Sequence, residues 1–162
     1  MTTRMSTKER RIRKEISRSW NSEHLTNAYL YPLPIMFIDF KPYTEECYFL
    51  VSFYKEKFTC IVTLQFKDKC YPFKAPEVVI NGLFNYKNLL AFSSEWNDKF
   101  GLAKCLCCSS ILCHWGPSNN MVNILKEVYK NLSYKLRISE ILMCRSLVRQ
   151  KFGYYLPIEE FL

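Results

Sequence analysis

Residues 47–66 read CYFLVSFYKEKFTCIVTLQF, two runs of β-branched and aromatic residues on either side of a short polar triplet. This composition, broken by a polar turn, predicts two antiparallel strands, at residues 47–54 and 58–66. A similar run at 35–40 comes before them, and another at 77–80 follows a proline-bearing loop. The sequence therefore predicts a four-stranded antiparallel meander.

A basic amphipathic helix is predicted ahead of the meander, over residues 7–20. Ser6 and Glu9 have the spacing of a capping box, in which the serine caps the helix and the glutamate follows three residues later. Apolar residues then recur at every fourth position, which places them on one stripe of a helix. They are Ile12, Ile16 and Trp20.

Two helices are predicted after the meander, at residues 121–132 and 138–151. Ser118 and Asn119 offer caps for the first, and Gly153 ends the second. Between the meander and these helices, residues 81–104 are predicted to be a long irregular stretch with a short helix near residues 86–92. Such stretches in compact domains are usually functional.

The order of elements predicts an α+β domain with helices on one side of an antiparallel sheet. With 162 residues, of which 49% are hydrophobic, the chain is expected to form one ordered domain over residues 1–162, with 1–6 as a flexible N-terminus. No apolar run reaches the roughly 18 residues that a membrane span needs, and polar residues follow Met1. We therefore expect an intracellular protein, cytoplasmic or nuclear, with mostly reduced thiols.

The net charge of +8 is concentrated at the N-terminus. Residues 1–20 contain seven Lys and Arg against two Glu, a net charge of +5. A basic segment of this kind favours an acidic partner, although it is also compatible with an ordinary solvated helix face.

The chemistry-bearing residues are concentrated in residues 104–115, which read KCLCCSSILCHW. Zinc sites commonly use a Cys-x-x-Cys pair with a second pair elsewhere, whereas here the cysteines run as Cys-x-Cys-Cys and then Cys-His, neither of which is the usual zinc knuckle. A nucleophilic cysteine without a strong base is the other interpretation, and it suits thioester exchange, where the leaving group is itself a thiol. We predict neither a metal nor a cofactor.

Three motifs in order resemble those of the ubiquitin-conjugating enzymes. Residues 71–76 read YPFKAP where that family has Tyr-Pro-Phe-Lys-Pro-Pro, Cys105 is followed by Leu106, and residues 115–117 read WGP where the family has Trp-Ser-Pro. The leading basic helix and the meander fall in the family's order. The resemblance covers residues 7–132 and implies the fold of that family.

The resemblance also implies a catalytic thiol. Cys105 is assigned as the residue that carries ubiquitin or a ubiquitin-like modifier as a thioester, with Cys107 as the alternative. Asn97 stands eight residues before Cys105, within Glu95-Trp96-Asn97 where the family has His-Pro-Asn, and is implied to stabilise the oxyanion. Ser139 or Glu140 is implied to line the thiol and orient the incoming lysine.

Partners follow from the same resemblance. The first helix would dock the activating enzyme, and the loop aromatic with the residues after Trp115 would contact a ligase. The implied partner-binding residues are Lys8, Arg10, Arg11, Lys14, Phe73, Pro117 and Ser118. For Phe73, burial in the core is the alternative to a binding role.

Two other functions remain open at this point. Loss of the His and Pro before Asn97 is compatible with an inactive variant that binds a modifier or a conjugating partner. The third interpretation is a zinc-stabilised module that uses Cys107 and Cys108 as ligands and binds nucleic acid through residues 4–18. Since few arginines alternate with aromatics outside the first helix, nucleic acid is ranked last, and no membrane partner is expected.

Overall fold

Helix α1 spans Thr7–Ser19 in the computed structural model, which describes residues 4–20, 30, 32–90, 109–154, 157 and 160. The Ser6 hydroxyl caps it by accepting the Glu9 N–H at 3.1 Å. The predicted apolar stripe is buried, with Ile12, Ile16 and Trp20 at most 4% exposed. The helix and its cap are therefore confirmed.

The strands form one antiparallel sheet in sequence order. They are β1 (Ile35–Lys41), β2 (Glu46–Phe53), β3 (Phe58–Gln65), β4 (Glu77–Ile80) and β5 (Phe84–Asn85). The β2–β3 pair runs in register from Glu46 opposite Gln65 to Phe53 opposite Phe58. The β1–β2 register shifts once, between Phe37 and Asp39, as a bulge.

The prediction of four strands was one strand short. Asn81 and Gly82 both have positive φ, 51° and 67°, and the Leu83 N–H donates to the Ile80 carbonyl at 3.1 Å. This tight turn reverses the chain and lets β5 pair with β4. Asn-Gly is a strong hairpin signal, so the extra strand was readable from the sequence.

Part of the predicted irregular stretch is ordered. Helix α2 spans Tyr86–Leu89 and is capped by Asn85, whose side chain accepts the Lys87 N–H. It lies inside the predicted helix near residues 86–92. Residues 91–104 of the predicted stretch lie outside the described residues.

The two predicted C-terminal helices are one continuous helix. Helix α3 spans Met121–Phe152, 32 residues or about 48 Å. Residues 133–137 contain neither Pro nor Gly. The Ser133 hydroxyl donates a hydrogen bond to the Tyr129 carbonyl one turn earlier, so this polar side chain is accommodated within the helix. The predicted interruption was therefore wrong, whereas the end at Gly153, with φ 78°, is confirmed.

The cap of α3 also differs from the prediction. Asn120, rather than Ser118 or Asn119, is the capping residue. Its side chain accepts the Asn123 N–H, and the Asn123 side chain accepts the Asn120 N–H. This reciprocal pair satisfies two of the N–H groups that a helix start leaves unpaired.

The hydrophobic core lies between one face of the sheet and the two long helices. Trp20 packs against Phe49 with ring centroids 5.0 Å apart, and its indole N–H donates to the Ile35 carbonyl. From α3, four fully buried side chains join the same cluster: Met121, Ile124, Leu125 and Val128. The predicted α+β arrangement with helices against an antiparallel sheet is thus confirmed.

We expect Leu64→Ala to lower the free energy of unfolding by about 2–5 kcal/mol, because Leu64 is fully buried in the sheet core and its loss leaves a cavity. Leu83→Ala is the matched control, since Leu83 is 79% exposed and should change stability by less than about 0.5 kcal/mol. Urea unfolding followed by circular dichroism measures both. Equal losses in the two variants would contradict this core.

Candidate functional site

Two of the sequence motifs meet directly in the fold. The Trp115 indole N–H donates to the Pro72 carbonyl at 2.7 Å, which joins the loop at 71–76 to the segment before α3. Tyr71 lies between them and the core, with its ring 4.8 Å from Phe66 and 6.2 Å from Trp115. Residues 43 positions apart are therefore held against each other.

A buried carboxylate, Glu15 of α1, ties the same elements together. Both of its oxygens accept the Tyr71 hydroxyl at 2.8 Å, and Oε2 accepts the Met121 N–H at 2.9 Å. Arg11 donates to Oε1 from one turn earlier. Burial and then the nearby Glu15 charge raise the pKa of Tyr71, so the hydroxyl stays protonated and acts as a donor.

Three of the predicted partner-binding elements are brought to one surface. Phe73 is 72% exposed, which excludes the alternative that it packs in the core. Pro117 and Ser118 are also exposed, and the Arg11 guanidinium donates to the Pro117 carbonyl at 3.5 Å. The hydrogen bond between Trp115 and Pro72 places the loop with Phe73 beside them.

Lys8 does not belong to the exposed basic face. Its side chain is 8% exposed, forms an ion pair with Glu45 at 2.6 Å and donates to the Phe66 carbonyl at 2.9 Å. A buried amine that is paired in this way fastens α1 to the sheet and is not presented to a partner. Arg10 and Lys14, in contrast, are exposed.

A second polar cluster, which sequence reasoning missed, surrounds Glu127 of α3. Its carboxylate accepts the Ser110 hydroxyl and the Ile111 N–H, each at 3.0 Å, and the Tyr86 hydroxyl at 3.5 Å. Asn131 donates to the same tyrosine oxygen at 2.8 Å. Burial, followed by the Glu127 charge, raises the pKa of Tyr86. No local sequence signal pairs residues so far apart.

The Glu127 cluster holds the chain just before and just after the segment that carries the predicted nucleophile. Tyr86 lies in α2, and Ser110 with Ile111 follows the cysteine-rich stretch. The predicted residues Cys105, Cys107, Cys108 and Asn97 lie outside the described residues. Ser139 and Glu140 both occupy exposed positions of α3.

Five cysteines are described, and all five are free thiols. Burial raises the pKa of Cys47, and it raises the pKa of Cys60 to about 11. Cys47 is buried and Cys60 is partly buried, which disfavours their thiolate forms, whereas Cys70, Cys113 and Cys144 are exposed. Among the described residues, no three His, Cys, Asp or Glu side chains are placed to hold a metal ion.

Comparisons of the chain with protein-family models, with curated proteins and with solved structures found no match. In the part of the chain that the structure describes, no helix is long and apolar enough to cross a membrane. The class established by the fold is α+β, with an N-terminal helix, a five-stranded antiparallel sheet and a C-terminal helix.

The described thiols should differ sharply in reactivity. A pKa near 11 leaves Cys60 with about a hundredfold less thiolate than a thiol of ordinary pKa at the same pH, so we expect slow alkylation there. Cys47 should stay unmodified until the protein unfolds, while Cys144 reacts quickly. Iodoacetamide pulse labelling at pH 8 with peptide mass spectrometry measures this. Equal labelling of all thiols in denaturant is the control. Rapid labelling of Cys47 in the folded protein would contradict its burial in the hydrophobic core.

Proposed function

We propose that this chain is a divergent ubiquitin-conjugating enzyme that carries ubiquitin, or a ubiquitin-like modifier, on Cys105. The Cys105 thiolate attacks the thioester carbonyl that joins the modifier to the activating enzyme. A new C–S bond forms as the old one breaks, and the departing thiolate takes up a proton. A lysine amine then attacks the carbonyl, its C–N bond forms as the C–S bond to Cys105 breaks, and the departing Cys105 thiolate takes up the proton that the amine loses.

The observation that carries the proposal is the contact between Trp115 and Pro72. The resemblance rests on motifs at 71–76, at Cys105 and at 115–117, and the first and third of these lie more than 40 residues apart. Their direct hydrogen bond at 2.7 Å makes them parts of one structural unit. Their adjacency supports the interpretation that they belong to one functional surface.

A second line of support is the exposed phenylalanine. Phe73 is 72% exposed although burial of a Phe side chain stabilises a protein by about 1.5–3 kcal/mol. Pro117 and Ser118, which follow the tryptophan that hydrogen-bonds to Pro72, are exposed as well. A partner that covers this apolar ring would recover that free energy, which fits the ligase surface that the resemblance implies.

The exposed cations of α1 support docking of an activating enzyme. Arg10 and Lys14 are exposed, and Arg11 is oriented by Glu15 beside Pro117. Opposite charge across an interface accelerates association. The activating enzyme and the ligase would thus bind neighbouring parts of one surface, which favours sequential rather than simultaneous binding.

Support for a functional cysteine segment comes from its flanks. Ser110 is 1% exposed and held by Glu127, and Tyr86 is fully buried against the same carboxylate. Described residues on both sides of the cysteine segment are thus attached to α3. In this proposal Asn97 donates its amide to the oxyanion of the tetrahedral intermediate, and Ser139 or Glu140 receives the acceptor lysine.

The experiment is a charging assay with the full chain, ATP, an activating enzyme and each of several modifiers. We expect wild type to give an adduct that thiol reductant removes. Cys105→Ser should give a slower adduct that resists reductant, because an oxygen ester replaces the thioester. Cys144→Ser is the matched control, an exposed cysteine on α3 whose loss should leave the labile adduct unchanged.

Other outcomes separate the alternatives. A labile adduct that persists in Cys105→Ser and disappears in Cys107→Ser would move the nucleophile to Cys107. No adduct with any modifier, in a protein that remains folded by circular dichroism, would contradict conjugation and favour an inactive binding variant. Stoichiometric zinc that is lost on substituting Cys107 and Cys108 would instead identify a metal module.

A further inference from the structure

A small polar cavity of about 70 Å³ lies between the second half of α1 and the start of α3. Three cations, one carboxylate and two neutral polar side chains line it. They are Arg11, Lys14, Arg18, Glu15, Ser19 and Asn120.

The cations of this cavity lie on one face of α1, because residues three and four positions apart on a helix are neighbours. Arg11 forms an ion pair with Glu15, whereas neither Lys14 nor Arg18 forms an ion pair with any carboxylate that the structure describes. With Glu15 ionised, the lining carries a net charge of +2. Like charges at this spacing repel, and an anion in the cavity would relieve the repulsion.

The geometry of the lining is suited to an oxyanion. Arg11 is braced on two sides, by the Glu15 carboxylate and by the Pro117 carbonyl, so its guanidinium is held in place before a ligand arrives. Asn120 uses its Oδ1 to accept the Asn123 N–H, which leaves its Nδ2 as a donor. The Ser19 hydroxyl adds a further neutral donor.

We propose that this cavity binds a phosphate monoester group. Such a group carries a charge of about −1.5 to −2 at pH 7 and three acceptor oxygens, which match a lining of charge +2 that is rich in donors. A phosphodiester or a carboxylate carries a single charge. A cavity of about 70 Å³ also admits one tetrahedral group rather than a length of nucleic-acid backbone.

The phosphate could belong to a small molecule or to a phosphorylated side chain of a partner protein, since the lining recognises the group itself. Arg11 and Lys14 also belong to the proposed docking surface for the activating enzyme, but none of the lining groups is the proposed nucleophile, and phosphate binding is measured on the chain alone, without activating enzyme or modifier. Loss of one function in an experiment would leave the other testable.

The test is titration of the full chain at constant ionic strength, followed by isothermal calorimetry and by backbone NMR shifts. The probes are inorganic phosphate, sulfate, a phosphoserine peptide with its unphosphorylated form, and a single-stranded oligonucleotide. We expect saturable one-to-one binding of phosphate and sulfate, with shifts at Ser19 and Asn120. A phosphopeptide that binds more tightly than phosphate identifies a partner side chain, and one that binds more weakly identifies a small molecule.

Substitutions separate the cavity from the general basic charge of α1. Lys14→Gln and Arg18→Gln should each weaken phosphate binding about tenfold or more, since each removes a charge-assisted hydrogen bond. Arg13→Gln is the matched control: it removes one charge from the same helix, but Arg13 lies outside the cavity, paired with Glu9 and over the Phe40 ring. It should change affinity no more than about twofold.

Proton linkage provides an independent readout. Lowering the pH from 7.5 to 5.5 protonates the phosphoserine group, whose second pKa is about 6, and should weaken binding of the phosphopeptide, whereas sulfate stays doubly charged and should bind unchanged. The titratable groups that line the cavity are Arg11, Lys14, Arg18 and Glu15, with no histidine among them.

Three results would overturn the proposal. The first is binding that never saturates. The second is an equal loss of affinity in Arg13→Gln and Lys14→Gln, which would mean that only the overall charge of α1 matters. The third is tight, steeply salt-dependent binding of the oligonucleotide with no saturable phosphate binding, which would identify the face as a nucleic-acid surface.

Discussion

The carboxylate of Glu15 is buried where the first helix, the loop at 71–76 and the last helix meet. It accepts hydrogen bonds from Arg11, the Tyr71 hydroxyl and the Met121 N–H. Because a buried charge is costly unless it is paired and hydrogen-bonded, this carboxylate is stable only when all three elements are in place. The position of each element is therefore conditional on the other two.

The exposed features follow from that constraint. Tyr71 fixes the start of the loop, so Phe73 projects beside the residues that follow Trp115. Arg11 is turned toward Pro117 by its bond to Glu15, and the same orientation closes one side of the small cationic cavity. The proposed ligase surface and the proposed phosphate site thus share one buried support. The Glu127 cluster plays the corresponding role for the flanks of the cysteine segment.

Local periodicity was enough to predict α1 and the four main strands, because alternation and capping depend on near neighbours. It failed for the continuity of α3, where the absence of Pro and Gly at residues 133–137 was the better guide. The resemblance, for its part, placed Lys8 on the partner-binding face, whereas its pairing with Glu45, which is distant in sequence, buries it. For Phe73 the sequence left exposure and core burial as alternatives, and the structure decides for exposure. The convergence on Glu15 could not be predicted, since no sequence pattern encodes contacts across 56 or 106 residues. The same holds for Glu127, whose partner Tyr86 lies 41 residues away.

A double-mutant cycle measures whether Glu15 couples the first helix to the loop at 71–76. Stability is measured by urea unfolding for Glu15→Gln, Tyr71→Phe and the double variant. We expect a coupling free energy of about 1 kcal/mol or more, against at most about 0.5 kcal/mol for the exposed Glu9 and Arg13 pair. Additive effects of Glu15→Gln and Tyr71→Phe, within about 0.3 kcal/mol, would contradict it.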